Sequence, residues 1–468
     1  MRALDGPARL AREQASPSSW RTAMTSEPIM AVDRAGQAEP AAPHQPGSGS
    51  RPTRIRFLML ALIATGTLIN YLDRTILGIA APGLTQELAI NAAWMGIVFS
   101  AFSWTYAASQ IPGGVLLDRL GTRLTYFLSV AGWSLITVLH WTASGVGSLL
   151  GLRLALGIAE SPCFPANGRV VATWFPRQER ALATGVYTFG EYIGLAFLSP
   201  ILFAMMAAFG WRSLFISAGA AGLAFALIWW FAYREPWESR ANKAEIDHIV
   251  AGGGLVARPV RQPFSWAAAG KLMRKRQMWG ICLGQFAGNS TLVFFLTWFP
   301  TYLAVERHMD WLKIGFFAVL PFIAASVGVL FGGWWSDRML KQGRSPNVAR
   351  KLPIILGLLL ASTIVLANFT DDNRVVIAIL SLAFFAQGMA ALGWTLVSDL
   401  APEGMIGITG GIFNLAANLA GIVTPIVIGL ILAATGSFFY ALAFIALVAM
   451  LGAMSYIFIL GDVQRIEL

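Results

Sequence analysis

Charge is what this chain has least of. Asp, Glu, Lys and Arg make up 12% of its 468 residues, against 56% hydrophobic residues and a mean hydropathy of +0.63. A soluble domain carries roughly a quarter charged residues. A chain this apolar cannot cover its core with polar surface, so lipid is its natural solvent. Cysteine is nearly absent: Cys163 and Cys282 both fall inside apolar segments and give no disulfide framework. Histidine is as scarce. His44, His140, His248 and His308 lie in the N-terminal stretch or near the ends of apolar runs, without metal-site spacing. No metal, no resident cofactor and no enzymatic constellation is expected. The net charge of +10 would suggest nucleic acid in a soluble chain. Here the basic residues gather in short loops between apolar runs, where they read as topology signals.

Residues 1–50 are rich in Ala, Pro, Ser and Gly, lack a periodic apolar pattern, and read as a disordered cytoplasmic tail. No h-region of a signal peptide is present in them, and Met24 and Met30 are alternative starts. Beyond the tail come twelve apolar segments of spanning length, at 57–80, 92–117, 123–142, 147–169, 181–207, 211–232, 278–303, 312–336, 352–369, 375–398, 406–433 and 436–460. One set of loops holds Arg51, Arg54 and Arg56; Arg119 and Arg123; Arg177 and Arg180; and Arg338, Lys341, Arg344, Arg350 and Lys351. The long connection at 233–277 adds nine more basic residues to that side, whereas the opposite loops offer only Arg212, Arg307, Lys313 and Arg374. The bias puts both termini in the cytoplasm of a bacterial-type inner membrane.

The connection divides the chain into a six-helix bundle at 51–232, a cytoplasmic linker at 233–277, a second bundle at 278–462 and a short tail at 463–468. An internal echo supports the division: GVLLDRLGTR starts at Gly114 and GWWSDRMLKQGR at Gly333, each after the second span of its half. The predicted fold is all-α, with two pseudo-symmetric halves. Glycine pairs 190/194 and 407/411 are spaced for close helix packing. The GGG at 252–254 reads as a flexible loop and most Trp and Phe as lipid-facing or interfacial belts.

Ionised groups at a bilayer centre cost about 2.5–3.5 kcal/mol each on insertion scales. The first half nonetheless holds Asp73, Arg74, Arg153, Glu160 and Glu191, while the second offers amides such as Gln285, Asn289, Gln387, Asn414 and Asn418. Arg153 and Glu160 are seven residues apart, hence on one helix face and about 10 Å apart along the axis. Tyr71 and Arg74 share a face at i,i+3, with Asp73 turned to its side. Arg74 and Arg153 are placed to converge on a carboxylate. Asp73 and Glu160 are the candidate proton carriers, since burial and a nearby Arg pull such a group in opposite directions. Tyr106 with Gln110 one turn away, and Tyr187, are candidate hydroxyl and amide partners of a polar cargo. Structural ion pairs stapling helices are the alternative, but buried pairs are weak stabilisers.

The stretches NYLDR, GIVFSAF, QIPGGVLLDRLGTR, GLRLALGIAESPCFPAN, WFPRQERA, FFLTWFP and TGGIFN resemble the proton-coupled sugar-acid transporters of the anion:cation symporter family, within the major facilitator superfamily. The likeness runs from about Asn70 to Asp462. It implies import of an organic anion, such as D-galactonate or a related hexonate or hexuronate, with protons by alternating access in a lipid-embedded monomer. It implies that Asp73 and Glu160 are the protonatable pair and Arg153 an essential arginine. Tyr71, Arg74, Tyr106, Gln285, Trp394 and Asn414 match cargo-contacting positions. Gly114, Asp118, Arg119, Gly121 and Arg123, echoed by Asp337 and Arg338, match the loop motif. There the glycine is expected to permit close helix approach, and the Asp to pair with basic groups and lock the halves together. Three positions depart from the galactonate-carrying pattern: Glu191 replaces a glutamine, Ala391 a serine and Gly393 a threonine. An acid is gained and two hydroxyls are lost, so Glu191 is expected to be protonated when the anion is bound, or to pair with an arginine. A less hydroxylated carboxylate, an exporter on the same fold and a non-transporting sensor are the other readings.

Overall fold

Apolar segments satisfy their backbone groups in lipid only as helices or closed barrels, and the described residues hold helices and turns but no strand. The computed structural model describes residues 51–176, 179–254, 266–402 and 405–467. The tail at 1–50, Arg177, Arg258 and Arg261 lie outside them.

The N-terminal half comprises α1 (Ile55–Glu87), α2 (Ala92–Leu120), α3 (Thr122–Leu139, continued by the turn His140–Thr142), α4 in two pieces (Val146–Glu160 and Cys163–Trp174), α5 (Arg180–Phe209) and α6 (Trp211–Ala232). The C-terminal half comprises α7 (Arg276–Thr297, extended by Phe299–Thr301), α8 (Trp311–Lys341), α9 (Pro346–Ala361, then Ser362–Phe369), α10 (Asn373–Ala390 and Gly393–Leu400), α11 (Ile406–Thr435) and α12 (Phe439–Met454, then Ser455–Ile459). Ten of these helices are long and apolar enough to cross a membrane on composition alone. The other two are α2 and α4. They carry Tyr106, Gln110, Asp118 and Arg119, and Arg153 and Glu160.

Among the described residues, the apolar cluster that joins the halves lies at one end. One apolar cluster draws residues from both halves, including Ile76, Phe99 and Tyr192 from the first and Phe295, Trp298 and Phe384 from the second. A second cluster is confined to the N-terminal half and linker, a third to the C-terminal half and the linker's end. The shared cluster lies at the end of the bundle away from the basic loops. Ring pairs stitch the seam there: Phe99 with Trp298 at 5.1 Å, Tyr192 with Phe384 at 6.1 Å and Phe203 with Trp311 at 6.2 Å. At the basic-loop end the cores separate. The molecule is sealed at one end and parted at the other.

Glycines permit the seal. A Cβ on Gly96 of α2 would lie 2.4 Å from the Pro425 carbonyl oxygen of α11, and one on Gly78 of α1 would lie 2.5 Å from that of Leu296. Gly96→Ala should therefore push α2 off α11 and shift the molecule toward a state open at this end, since packed interfaces switch rather than stretch. Pulsed electron-spin distances across the sealed end should lengthen, with helicity unchanged; unchanged distances would contradict the packing described.

Other glycines depart from expectation. Gly194 packs tightly on Leu68, but a Cβ on Gly407 or Gly411 would meet nothing within 4 Å. Gly114 and Gly333 face open space as well; their neighbours make the close approaches, Gly113 on Pro162 and Gly332 on Met389. In 252–254 the backbone is tied down: Gly252 packs on Pro176, and the Gly253 carbonyl accepts from Arg180 Nη2 at 2.8 Å. The aromatic belt is also incomplete, because Trp133, Trp174, Trp211, Trp229 and Trp298 are buried inside the halves.

The linker begins as part of the first half. Its helix Lys243–Ala251 buries Glu245, which accepts from the Ile55 and Arg56 backbone N–H groups at 3.2 and 3.1 Å. α1 has no capping side chain of its own, so Glu245 supplies the anion that a helix N-terminus favours. Arg56 bridges Glu245 and Glu179 at 3.3 and 3.1 Å, and His248 reaches Glu179 at 3.0 Å.

Candidate functional site

Helical spacing in α1 sends its two adjacent charges in different directions. Arg74 faces the aromatic side chains around the central gap, its guanidinium carbon 4.8 Å from the ring centres of Phe102 and Tyr106, 5.2 Å from Tyr71 and 5.9 Å from Phe164. Asp73, some 100° further round the helix, turns into the half itself, against Trp133 and Thr137 of α3. It is buried, and neither carboxyl oxygen has a hydrogen-bond partner.

From α4, Glu160 meets Arg74 from behind. Arg74 Nε donates to Glu160 Oε2 at 3.1 Å, and Nη2 lies 3.1 Å from the same oxygen without hydrogen-bond geometry. Asn70 Nδ2 donates to that oxygen at 2.8 Å. Glu160 Oε1 and Arg74 Nη2 are left without partners. Arg74 Nη2 thus meets Glu160 as an ion pair without a hydrogen bond of its own, and a second anion could accept one from it.

Arg153, one helical face along α4 from Glu160, is more deeply placed. It is 4% exposed against 17% for the Arg74 side chain. Its guanidinium stacks on Phe102 at 5.0 Å and its Nε has no partner. Phe102 is therefore sandwiched by both arginines. Glu191 of α5 is buried against the Tyr71 hydroxyl, with Arg74 near by, while the adjacent Tyr192 reaches Gln387 of α10 across the seam. In this state Arg74 bonds Glu160.

The C-terminal half brings a different surface. Trp394 of α10 is 48% exposed and packs edge-on to Phe413 at 4.9 Å. A Cβ on Gly393 would sit 3.0 Å from the Phe413 ring and 3.5 Å from Gln285 Oε1. Gln285 and Asn414 are half-buried, and Asn289 donates to the Ala417 carbonyl at 2.6 Å. The N-terminal half thus supplies cations and acids, the C-terminal half amides and an indole. Among the described residues no group of three or more His, Cys, Asp or Glu could hold a metal ion.

The loop motif lies apart from this gap. Asp118 is 3.8 Å from Arg169, and Asp337 is 3.2 Å from Arg350, which also reaches Asp399 at 3.2 Å. Each of these pairs joins residues of one half. Gly121 takes φ +79°, ending α2, and Arg123 donates to the Trp230 carbonyl at 2.7 Å while stacking on its ring at 4.4 Å. Arg119 and Arg338 are exposed.

Two contributors escaped the sequence reading. Asn70 is the amide that holds Glu160, and Phe102 is the ring between the arginines. Both were findable in principle: Asn70 lies one turn before Arg74, and Phe102 one turn before Tyr106.

The profile of the Major Facilitator Superfamily matches residues 63–425. The chain belongs to that superfamily. Among its relatives, the "D-galactonate transporter" of Escherichia coli O6:H1 is 46% identical over 428 residues, covering 90% of this chain and 99% of that protein. The "Probable galactarate/D-glucarate transporter GarP" of Escherichia coli K12 is 40% identical over 430 residues, covering 88% and 96%. A solved bacterial homolog of the human lysosomal transporter Spinster shares the fold with TM-score 0.69 at 18% identity, covering 87% of this chain and 97% of that one. The nucleoside transporter NupG does so with TM-score 0.66 at 12% identity, covering 86% and 99%. The superfamily member described here is a multi-pass membrane transporter, and its sealed and parted ends are the two mouths of that fold.

Proposed function

We propose that this protein is a secondary active transporter that moves a sugar acid together with protons, importing the anion by alternating access. The observation that carries the reading is Arg74: a guanidinium ringed by aromatic faces, its Nε hydrogen-bonded to Glu160 and its Nη2 in ion-pair reach of the same oxygen but not hydrogen-bonded. Relatives named for D-galactonate and for galactarate or glucarate supply the cargo class. With the basic loops cytoplasmic, the state described is open to the cytoplasm, and both termini lie there. The halves rock about the gap between them.

In the cycle, Glu160 and Arg74 exchange partners. Protonation of Glu160 removes the charge that engages Arg74, and the incoming carboxylate takes both arms of the fork, with Arg153 behind it. Tyr71, Tyr106, Gln285, Trp394 and Asn414 line the rest of the binding space. After release of the anion and proton to the cytoplasm, Arg74 closes on Glu160 again. That pair resets an empty carrier. Neither Asp118 nor Asp337 belongs to the binding step; they govern how the loop ends approach.

Counterflow of labelled D-galactonate into liposomes preloaded with the unlabelled anion tests the reading. Accumulation above the protein-free control is expected; none from folded protein would remove the sugar-acid assignment. Glu191 predicts the pH dependence. As pH rises this carboxyl loses its proton, adds negative charge beside Arg74 and opposes the anion. Affinity should fall by about tenfold or more across that titration, and Glu191→Gln should flatten the profile, since like charges sharing a partly buried site repel by on the order of a few kcal/mol. An unchanged profile in Glu191→Gln would remove this role.

A further inference from the structure

The buried acids have different neighbours, and those of Asp73 continue in one direction. Trp133, Thr137 and His140 lie on one stripe of α3 and its terminal turn, at i, i+4 and i+7, which covers about 10 Å along the helix. Asp73 faces the first two. His140 completes the stripe at the sealed end, where its neighbours Leu139 and Trp141 are exposed although it is itself only 1% exposed.

The imidazole is held in one tautomer. His140 Nδ1 lies 2.8 Å from the Ile136 carbonyl oxygen, which can only accept, so Nδ1 carries the hydrogen. The ring stacks on Phe215 of α6 at 4.9 Å, which fixes its plane. Nε2 is then the free atom, and it is buried without a partner. The same holds for Thr137 Oγ1, Trp133 Nε1 and both Asp73 oxygens. A row of unpartnered buried polar atoms is where proteins keep internal water, each molecule typically satisfying two to four such groups.

We propose that this stripe is a hydrated proton path from the sealed end to Asp73, running inside the N-terminal half, with His140 Nε2 as its outer relay. A proton carried by water attaches to Nε2, giving an imidazolium whose Nδ1–H stays on the Ile136 carbonyl. The Nε2–H is then passed to water on the Thr137 side. The Thr137 hydroxyl accepts one proton as it gives up its own, and the Asp73 carboxylate takes the last one. The ring ends neutral in its original tautomer. The charged groups near the path are Arg153 and Glu160 from α4 and, at the mouth, the Glu87–Arg212 pair at 2.6 Å, whose Arg212 also donates to the Trp141 carbonyl at 3.2 Å; Arg74, next to Asp73 on α1, faces the aromatic rings instead. Because the path avoids the gap between the halves, Asp73 can be loaded from the sealed end while Glu160 faces the cargo.

The purpose of the path rests on the proton-coupled reading above, but its test needs no cargo. Trp133 reports on Asp73, so an acid jump outside proteoliposomes should give a fluorescence phase that Trp133→Phe removes. In His140→Gln, which can still bond the Ile136 carbonyl but cannot shuttle a proton, that phase should slow by about tenfold or more with its final amplitude kept, since a positioned proton-transfer group contributes roughly 10²–10⁴ in rate. Thr137→Val, isosteric and without the hydroxyl, should slow it likewise and decides the matter should His140→Gln fail to fold. An unchanged rate in folded variants, or no Trp133-dependent phase in the wild type, would overturn the proposal. Wild-type protein that shows the phase but exchanges no D-galactonate would overturn the cargo assignment and leave the path standing.

Discussion

Arg74→Ala should lose more than about a hundredfold in affinity for D-galactonate, because truncating one partner of a desolvated charge pair typically costs 2–5 kcal/mol. The same change strands Glu160, which is fully buried, so the protein should also melt earlier. Breaking a buried pair by removing one partner costs about 3–5 kcal/mol of stability. The two losses separate in the double variant Arg74→Ala with Glu160→Gln. Stability should return, since no uncompensated carboxylate remains, while binding should not. Arg74→Lys keeps the charge but not the fork, and should bind with intermediate affinity. Isothermal titration together with a thermal melt reads both. If the double variant regains binding, Arg74 is a structural partner of Glu160 and not the anion's ligand.

Glu160→Gln should divide the transport cycle. Glutamine mimics the protonated acid: it can accept from Asn70 and Arg74 but carries no charge to compete for the guanidinium. Exchange of labelled for unlabelled D-galactonate needs only binding and rocking of the loaded carrier, and should persist with equal or tighter affinity. Uphill accumulation needs the empty carrier to reset and the proton to be returned, and should fall to the equilibrium ratio. Side-by-side counterflow and proton-driven uptake measure this. Equal loss of both would place Glu160 in the binding step alone.

Much of this arrangement is readable in the chain itself. The halves follow from twelve apolar runs, one long basic connection and the paired DR loops. The different facing of Asp73 and Arg74 follows from 100° per residue. What the spacing does not carry is depth. Arg153 and Glu160 share a face, yet one stacks on Phe102 and the other bonds Asn70, because neighbouring helices decide which polar group each meets. Glycine spacing was similarly incomplete. The 190/194 pair lies on α1 through Gly194, whereas 407/411 meets no neighbour within reach in this state. A glycine pattern marks a surface that can be approached, and the conformation decides whether it is.

The central claim is that cargo and proton move together through the Arg74–Glu160 exchange. Purified protein in liposomes loaded with a pH-sensitive dye, with D-galactonate added outside and the interior at higher pH, tests it directly. The account predicts acidification that depends on D-galactonate and disappears in Glu160→Gln. D-galactonate uptake with no acidification, or acidification unchanged in Glu160→Gln, would contradict it.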